Sequence, residues 1–371
     1  LAPSPTSKLF VTGNSKVSPK GFNWIICMNI PKPRLLIVKL SSLGDVIHAL
    51  PTLEALRSLY PEGHITWLVE EVHAPVLAGH PALDEVWALP RLRPGNGRFL
   101  SALRESLKMA RRVLEQPFDL VIDLQGLLKS AMWTALARSP RKLGYDRTRE
   151  MSYLALTERL APYNPEAHAV RRCLNVARHL GAPAQAPRFR LGLPRPDLNH
   201  LLSHKTDELL TVMHPGARWP TKLWPAAPWA RLADWLFREK GFRVVITGSS
   251  GDRELVEEII AQTETQPLNL AGRTSLAELA ALLQKAQFAV TTDTGPMHLA
   301  AALGTPVAAL FGPTAPWRTG PFGEGHEVVR LELGCSPCFQ RQCPEPRCLL
   351  ELPVARVQAA VEKILERRKN P

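Results

Sequence analysis

Asp45 ends the run Ser41-Ser42-Leu43-Gly44-Asp45, directly after an apolar stretch and directly before a helical one. A carboxylate at the carboxyl end of a strand can accept a proton from a hydroxyl group. Asp is also a favoured helix cap, and spacing alone favours that structural role. The loop is not a G-x-G-x-x-G run, so the dinucleotide fingerprint is absent. A second run is Thr291-Thr292-Asp293-Thr294-Gly295-Pro296-Met297-His298. Free N–H groups at a helix start, beside a glycine, bind phosphate well. Thr294 and Gly295 can cradle a diphosphate, and Pro296 suits a first helical position. Asp293 can hold the loop or orient a ligand hydroxyl. His298 can reach a phosphate or can be a satisfied core residue.

Two further loops carry charge. In His214-Pro215-Gly216-Ala217-Arg218-Trp219-Pro220-Thr221-Lys222, Lys222 or Arg218 can neutralise charge developing on a leaving diphosphate. The alternative is a surface loop rich in Pro and Trp with solvated charges. Asp252 follows a strand and a glycine loop, where an acidic side chain can bind a ribose hydroxyl or cap a helix. Cys335, Cys338, Cys343 and Cys348 supply four thiols within one loop. That is enough for zinc or an iron–sulfur cluster. The spacing fits no standard ribbon or ferredoxin pattern, and a structural role is the expectation.

The elements that must position these residues alternate. Residues 34–40 read as a buried strand and 46–60 as a helix with apolar positions at helical spacing. Strands are expected at 64–70 and 118–123, and helices at 99–115, 127–138 and 166–180. The stretch 182–199 is rich in Pro and interrupts the pattern. Strands then resume at 209–214, 242–247, 268–271, 288–292 and 306–311, the last of them. Helices are expected at 226–240, 253–263, 276–286, 296–303 and 354–368. The reading is an α/β chain of two facing Rossmann-like halves, and ligands bind at the carboxyl ends of such strands. Residues 28–184 form the first half, 185–205 a linker, 206–352 the second half and 353–371 a closing helix. Residues 1–27 have little periodicity, and we expect a disordered or non-native extension before Met28.

The 371 residues suit two cores, and 45% hydrophobic content fills them without staples. The net charge of +12 favours an anionic partner. No basic stripe with interleaved aromatics and no recognised nucleic-acid module is present, so nucleic acid is not the expected partner. No apolar run reaches the roughly 20 residues of a membrane span. The start of the chain does not read as a secretory signal. The expected location is therefore cytoplasmic.

Four separated blocks, in order, resemble the ADP-heptose:lipopolysaccharide heptosyltransferases. They are LIVKLSSLGDVIHALPTL, VIDLQGLLKSA, HPGARWPTKLWP and TTDTGPMHLAAALGTPVAALFGPT. WLVEE and GYDRTRE look most like the enzymes that add the first heptose to Kdo. The resemblance implies a GT-B fold and an inverting, metal-independent transfer without a cofactor. It implies an ADP-heptose donor, a Kdo-lipid A acceptor and peripheral contact with the anionic inner membrane. By similarity, Asp45 is the general base and Lys222 stabilises departing ADP. Thr221, Asp252, Asp293, Thr294, Gly295 and His298 bind the donor, although the family commonly has Glu at the position of Asp252. Ser42, Gly44, Lys129, Arg149 and His168 lie on the acceptor side, with Arg91, Arg93 and Arg98 as further basic candidates. Relatives often carry a Cys-rich stretch where CSPC stands, without a metal in the chemistry. Two other readings are open: a later heptosyltransferase or other nucleotide-sugar enzyme of this fold, and a non-catalytic binder of anionic surfaces.

Overall fold

A computed structural model describes residues 32–91, 99–202 and 209–369. Residues 1–27, Met28, Arg93 and Arg98 lie outside the described residues, as do parts of the expected linker.

The first unit alternates strands and helices. It opens with β1 (Arg34–Val38), α1 (Leu43–Leu59), β2 (His64–Glu70) and β3 (Glu85–Leu89). Then come α2 (Phe99–Glu115), β4 (Leu120–Asp123), α3 (Leu128–Leu136), β5 (Lys142–Tyr145) and β6 (Glu158–Leu160). Helices α4 (Ala169–His179) and α5 (Asn199–Leu202) end it, with no regular element between residues 182 and 198. That stretch docks on the first unit: Gly192 N donates to Val76 O at 2.7 Å, and Gly79 N donates to Gly192 O at 3.0 Å.

The second unit begins with β7 (Leu210–His214), α6 (Ala226–Arg238), β8 (Arg243–Ile246), α7 (Arg253–Ala261) and β9 (Leu268–Asn269). It continues through α8 (Leu276–Lys285), β10 (Phe288–Thr292), α9 (Gly295–Ala302) and β11 (Val307–Leu310). It closes with α10 (Pro316–Thr319), β12 (Glu327–Val329), α11 (Arg347–Leu350) and α12 (Val354–Lys369).

Each unit holds a parallel six-stranded sheet, in the orders β3-β2-β1-β4-β5-β6 and β9-β8-β7-β10-β11-β12. Both are the Rossmann order, so each has a switch point between its two central strands, β1/β4 and β7/β10. The strands there are buried on both faces and read as apolar runs, as crossover helices on both sides require.

Helix α1 starts three residues before the expected position, at Leu43. The cause is a local cap: Asp45, the third residue of the helix, accepts hydrogen bonds from Ser42 N and Oγ. The expectation that 306–311 is the last strand is corrected by β12, which pairs with β11 through Ala308 and Glu327. Three residues, Glu-Val-Val, are too short to show strand alternation in sequence.

Helix α1 packs on α4 and, across the units, on α9. One apolar cluster accordingly runs from Leu50 and Leu53 of α1 to Met297 and Leu299 of α9. A second fills the outer face of the second sheet and includes Val357, Val361 and Ile364 of α12. A third, smaller cluster lies under α2.

Candidate active site

Helices α1 and α9 each follow a central strand, and their amino-terminal turns meet. Two glycines permit the approach. A Cβ on Gly44 would lie 2.2 Å from His298 Cδ2, and one on Gly295 would lie 2.9 Å from Leu43 Cδ2. Any larger residue at either position pushes the helices apart.

Asp45 sits in the first turn of α1, half-buried. Its Oδ2 accepts from Ser42 N at 2.9 Å and from Ser42 Oγ at 2.8 Å. Burial works to raise its carboxyl, but Lys39, the Ser42 bonds and His298 outweigh burial and hold it below the usual carboxylate range. Asp45 is therefore ionised at neutral pH, as a base must be. Lys39 ends the apolar β1 run, is 6% exposed, and donates to Leu124 O at 2.9 Å.

His298 projects from α9 and is buried. Its Nδ1 lies 3.0 Å from His48 Nε2 of α1. Burial presses His298 down to about 4, against the opposing pull of Asp293 and Asp45. His48 falls well below its usual range, first through burial and then through His298 and His168. Both rings are neutral at pH 7, so one donates and the other accepts. His168 caps α4: its Nδ1 accepts from Val170 N at 3.2 Å and its Nε2 donates to Gly320 O at 3.1 Å. This last bond ties the first unit to the second. Burial also lowers His168.

Asp293 closes β10 and is buried. Its Oδ2 accepts from Lys222 Nζ and from Thr314 Oγ1, both at 2.6 Å. Lys222 Nζ also donates to Asp293 O at 3.2 Å and stands 4.7 Å above the Trp219 ring. Thr294 is the N-cap of α9 and its side chain makes no cap bond. The hydroxyl of Thr221 is committed to Gln340 O at 2.8 Å. Asp252 takes the cap role at the Ser250–Asp252 turn, accepting from Ser249 N at 2.7 Å and Ser249 Oγ at 2.6 Å. The same carboxylate adjoins Gly216, where a Cβ would lie 2.4 Å from Asp252 Cγ.

Lys129 of α3 donates to Ser41 Oγ and, at 2.9 Å, to Glu70 Oε1. It thus stands one residue from Ser42. Burial chiefly lowers the His73 imidazole, with Glu70 and Asp45 acting to raise it and Arg91 and Lys129 to lower it. Arg149 is exposed on the loop after β5, and Arg218 is exposed on the loop after β7.

The fold therefore gathers Ser42, Gly44, Asp45, His168, Lys222, Asp293, Thr294, Gly295 and His298 at one junction. Asp252 and Arg149 lie on flanking loops. Two residues of the junction escaped the sequence reading, Lys39 and His48. A lone lysine at the end of an otherwise apolar strand was the available signal for the first. His48 had none, because only the fold brings it to His298.

Cys335 and Cys338 are exposed, and Cys343 and Cys348 are half-buried. Burial and the three neighbouring thiols raise Cys348. Among the described residues, no group of three or more His, Cys, Asp or Glu is placed to hold a metal ion.

Comparison with known proteins agrees with this geometry. The family model for glycosyltransferase family 9 (heptosyltransferase) matches residues 106–349. Lipopolysaccharide heptosyltransferase 1 of Pseudomonas aeruginosa is 34% identical, over 90% of this chain and 98% of that protein. The crystal structure of a family 9 glycosyl transferase from Veillonella parvula superposes with a TM-score of 0.76 at 26% identity, covering 90% of this chain and 97% of that one. An Escherichia coli heptosyltransferase solved with ADP gives 0.72 at 27% identity, covering 89% and 99%. The architecture is the GT-B fold expected from the sequence. The chain belongs to glycosyltransferase family 9, the heptosyltransferases.

Proposed function

We propose that this enzyme moves L-glycero-D-manno-heptose from ADP-heptose to Kdo of the lipopolysaccharide inner core, with inversion and without a metal. The observation that carries the reading is the meeting of α1 and α9, where Asp45 and the Lys222–Asp293 pair both act on the one His298 ring. Two-unit clefts of this kind hold one substrate on each side.

In this mechanism the acceptor hydroxyl attacks the anomeric carbon on the face opposite the diphosphate. The new oxygen–carbon bond forms as the carbon–phosphate-oxygen bond breaks, and the bonding pair leaves with ADP. Asp45 takes the hydroxyl proton. Its Oδ2 is held by Ser42, which fixes the direction of the carboxylate and assigns the proton to Oδ1. Lys222 and the N–H groups at the start of α9, at Thr294 and Gly295, receive the charge that develops on the diphosphate. Asp293 and His298 orient the donor sugar, Asp252 the ribose, and Thr221 fixes the loop that carries Lys222. Ser42, Gly44, Lys129, Arg149 and His168 serve the anionic acceptor. Closure of the two units excludes water, which otherwise hydrolyses the donor.

No described helix is long and apolar enough to cross a membrane. We infer a cytoplasmic protein in peripheral contact with the anionic inner membrane, where a lipid-linked acceptor is presented. The similarity to a heptosyltransferase 1 supports the first-heptose assignment. The test is product formation from ADP-heptose with two acceptors, Kdo-lipid A and the already heptosylated lipid. Transfer to Kdo-lipid A alone is expected. Transfer to the heptosylated lipid alone makes the enzyme one of a later step. Binding to anionic surfaces with no turnover on either makes it a non-catalytic binder.

A further inference from the structure

Helix α2 is exposed in an unusual way. Of its seventeen residues only Val113 is fully buried. Leu100, Leu103, Leu107 and Leu114 all face outward, Leu100 at 78% and Leu107 at 63% exposure. Their spacing of three, seven and fourteen residues from Leu100 places them on one stripe. Arg104 and Arg111 lie along one edge of that stripe, with Lys108 just beyond. The helix carries four basic residues against two acidic ones. The pairs Lys108–Glu105 and Arg111–Glu115 are exposed and follow the helix itself, so they cost little to open.

The apolar surface does not stop at α2. Helix α3 packs beside it and leaves Met132 of its own surface at 62% exposure. The turn Ser152–Ala155 packs on α3 and exposes Leu154, with Arg147 and Arg149 on the loop just before it. A soluble surface rarely groups this many large apolar side chains. Leucines bordered by Arg and Lys are the composition of a helix that lies in the plane of a bilayer interface. The next helix, α3, also carries Lys129, whose ammonium reaches Ser41 beside the Asp45 loop. Helix α3 thus links the leucine-bearing helix α2 to the Ser41–Asp45 loop.

We propose that α2, together with the exposed edges of α3 and the Ser152–Ala155 turn, is the surface by which the enzyme docks on an anionic lipid bilayer. The leucines enter the boundary between headgroups and acyl chains, and Arg104, Lys108, Arg111, Arg147 and Arg149 meet the headgroup phosphates. Docked in this way, the acceptor end of the cleft opens toward the membrane, and a lipid-anchored sugar reaches Asp45 without leaving its leaflet. The role in catalysis rests on the lipid-acceptor reading given above, whereas bilayer binding itself requires no sugar.

The test is co-sedimentation of the whole protein with vesicles of phosphatidylethanolamine and phosphatidylglycerol, set against vesicles of phosphatidylcholine alone. The variants are L100S/L103S/L107S, all at exposed positions, and R104S/R111S. The wild type should bind the anionic vesicles in preference. The leucine variant should lose binding by about tenfold or more, and the arginine variant by roughly fivefold for each charge removed. Both should keep wild-type turnover on a deacylated, soluble Kdo acceptor and lose it on Kdo-lipid A in vesicles. Equal vesicle binding by the wild type and the leucine variant overturns the docking face, even where transfer is intact. Vesicle binding that depends on these leucines, with no transfer to any Kdo acceptor, retains the face and overturns the heptosyl-transfer reading. Self-association in solution that the leucine variant abolishes, with no vesicle binding, makes the face a contact between copies and also overturns the proposal.

Discussion

His48 Nε2 and His298 Nδ1 lie 3.0 Å apart, although 250 residues separate them in the chain. The bond joins α1 of one Rossmann-like unit to α9 of the other. It stands directly behind the two glycines that let those helices touch. Both imidazoles are buried, so the bond exists between neutral rings, and the candidate base and the Thr294–Gly295 loop share one support.

That support is sensitive to acid. His80, His214 and His298 are each pressed to about 4 by burial, and His48 is pressed well below its usual value. A histidine whose folded value is depressed binds protons more readily when unfolded. Stability should therefore be full above about pH 6.5 and should fall as pH drops from there toward 4. Thermal melts at intervals across that window check the sign. Stability that is flat between pH 7 and 4.5 contradicts it.

The Lys222–Asp293 pair predicts a split between stability and activity. Lys222→Met leaves the Asp293 carboxylate buried with Thr314 as its remaining partner. It should cost about 3 kcal/mol in urea unfolding and lower kcat by roughly 10²- to 10³-fold. The double variant K222M/D293N removes both charges. It should regain most of the stability and none of the activity. Activity that returns together with stability assigns the pair a purely structural role.

Gly44→Ala places a methyl group 2.2 Å from His298 Cδ2. The helices must separate to admit it, at a cost of about 1–3 kcal/mol. Activity should fall, because Asp45 moves with α1 while the proposed phosphate-binding residues Thr294 and Gly295 move with α9. Adding His298→Ala should restore part of the lost stability, and differential scanning calorimetry of the single and double variants reads this out. Equal melting temperatures for wild type and Gly44→Ala contradict the close approach.

The parts of this architecture that showed in sequence were those with local causes. Strand β10 was read as residues 288–292 and α2 as residues 99–115, because long apolar or amphipathic runs are bounded by turn residues. No strand was expected at β3, although Glu-Val-Trp-Ala-Leu has the apolar and aromatic content of one, whereas the other three unassigned strands carry weak signals. Strand β5 is Lys-Leu-Gly-Tyr, and β6 and β12 have three residues each. Their place in the sheets comes from parallel pairing with a neighbour, which no local pattern encodes. The site divides in the same way. Asp293 announces itself as a polar residue directly after an apolar strand, and Asp45 and Lys222 as charged residues in the segments that follow such strands. The commitment of Thr221 to Gln340 and the contact of His48 with His298 depend on loops brought together from distant parts of the chain. Asp252 was open between a cap and a ligand, and its carboxylate does hold the Ser249 cap while adjoining Gly216.

The central claim is that Asp45 is the base of a heptosyl transfer, and it meets its most direct test in ADP release from ADP-heptose with Kdo-lipid A. Wild type should release ADP only when acceptor is present. Asp45→Asn keeps the size of the side chain and much of the cap, so it should fold and should be slower by roughly 10²- to 10⁴-fold. A folded Asp45→Asn enzyme that turns over at the wild-type rate would contradict the account.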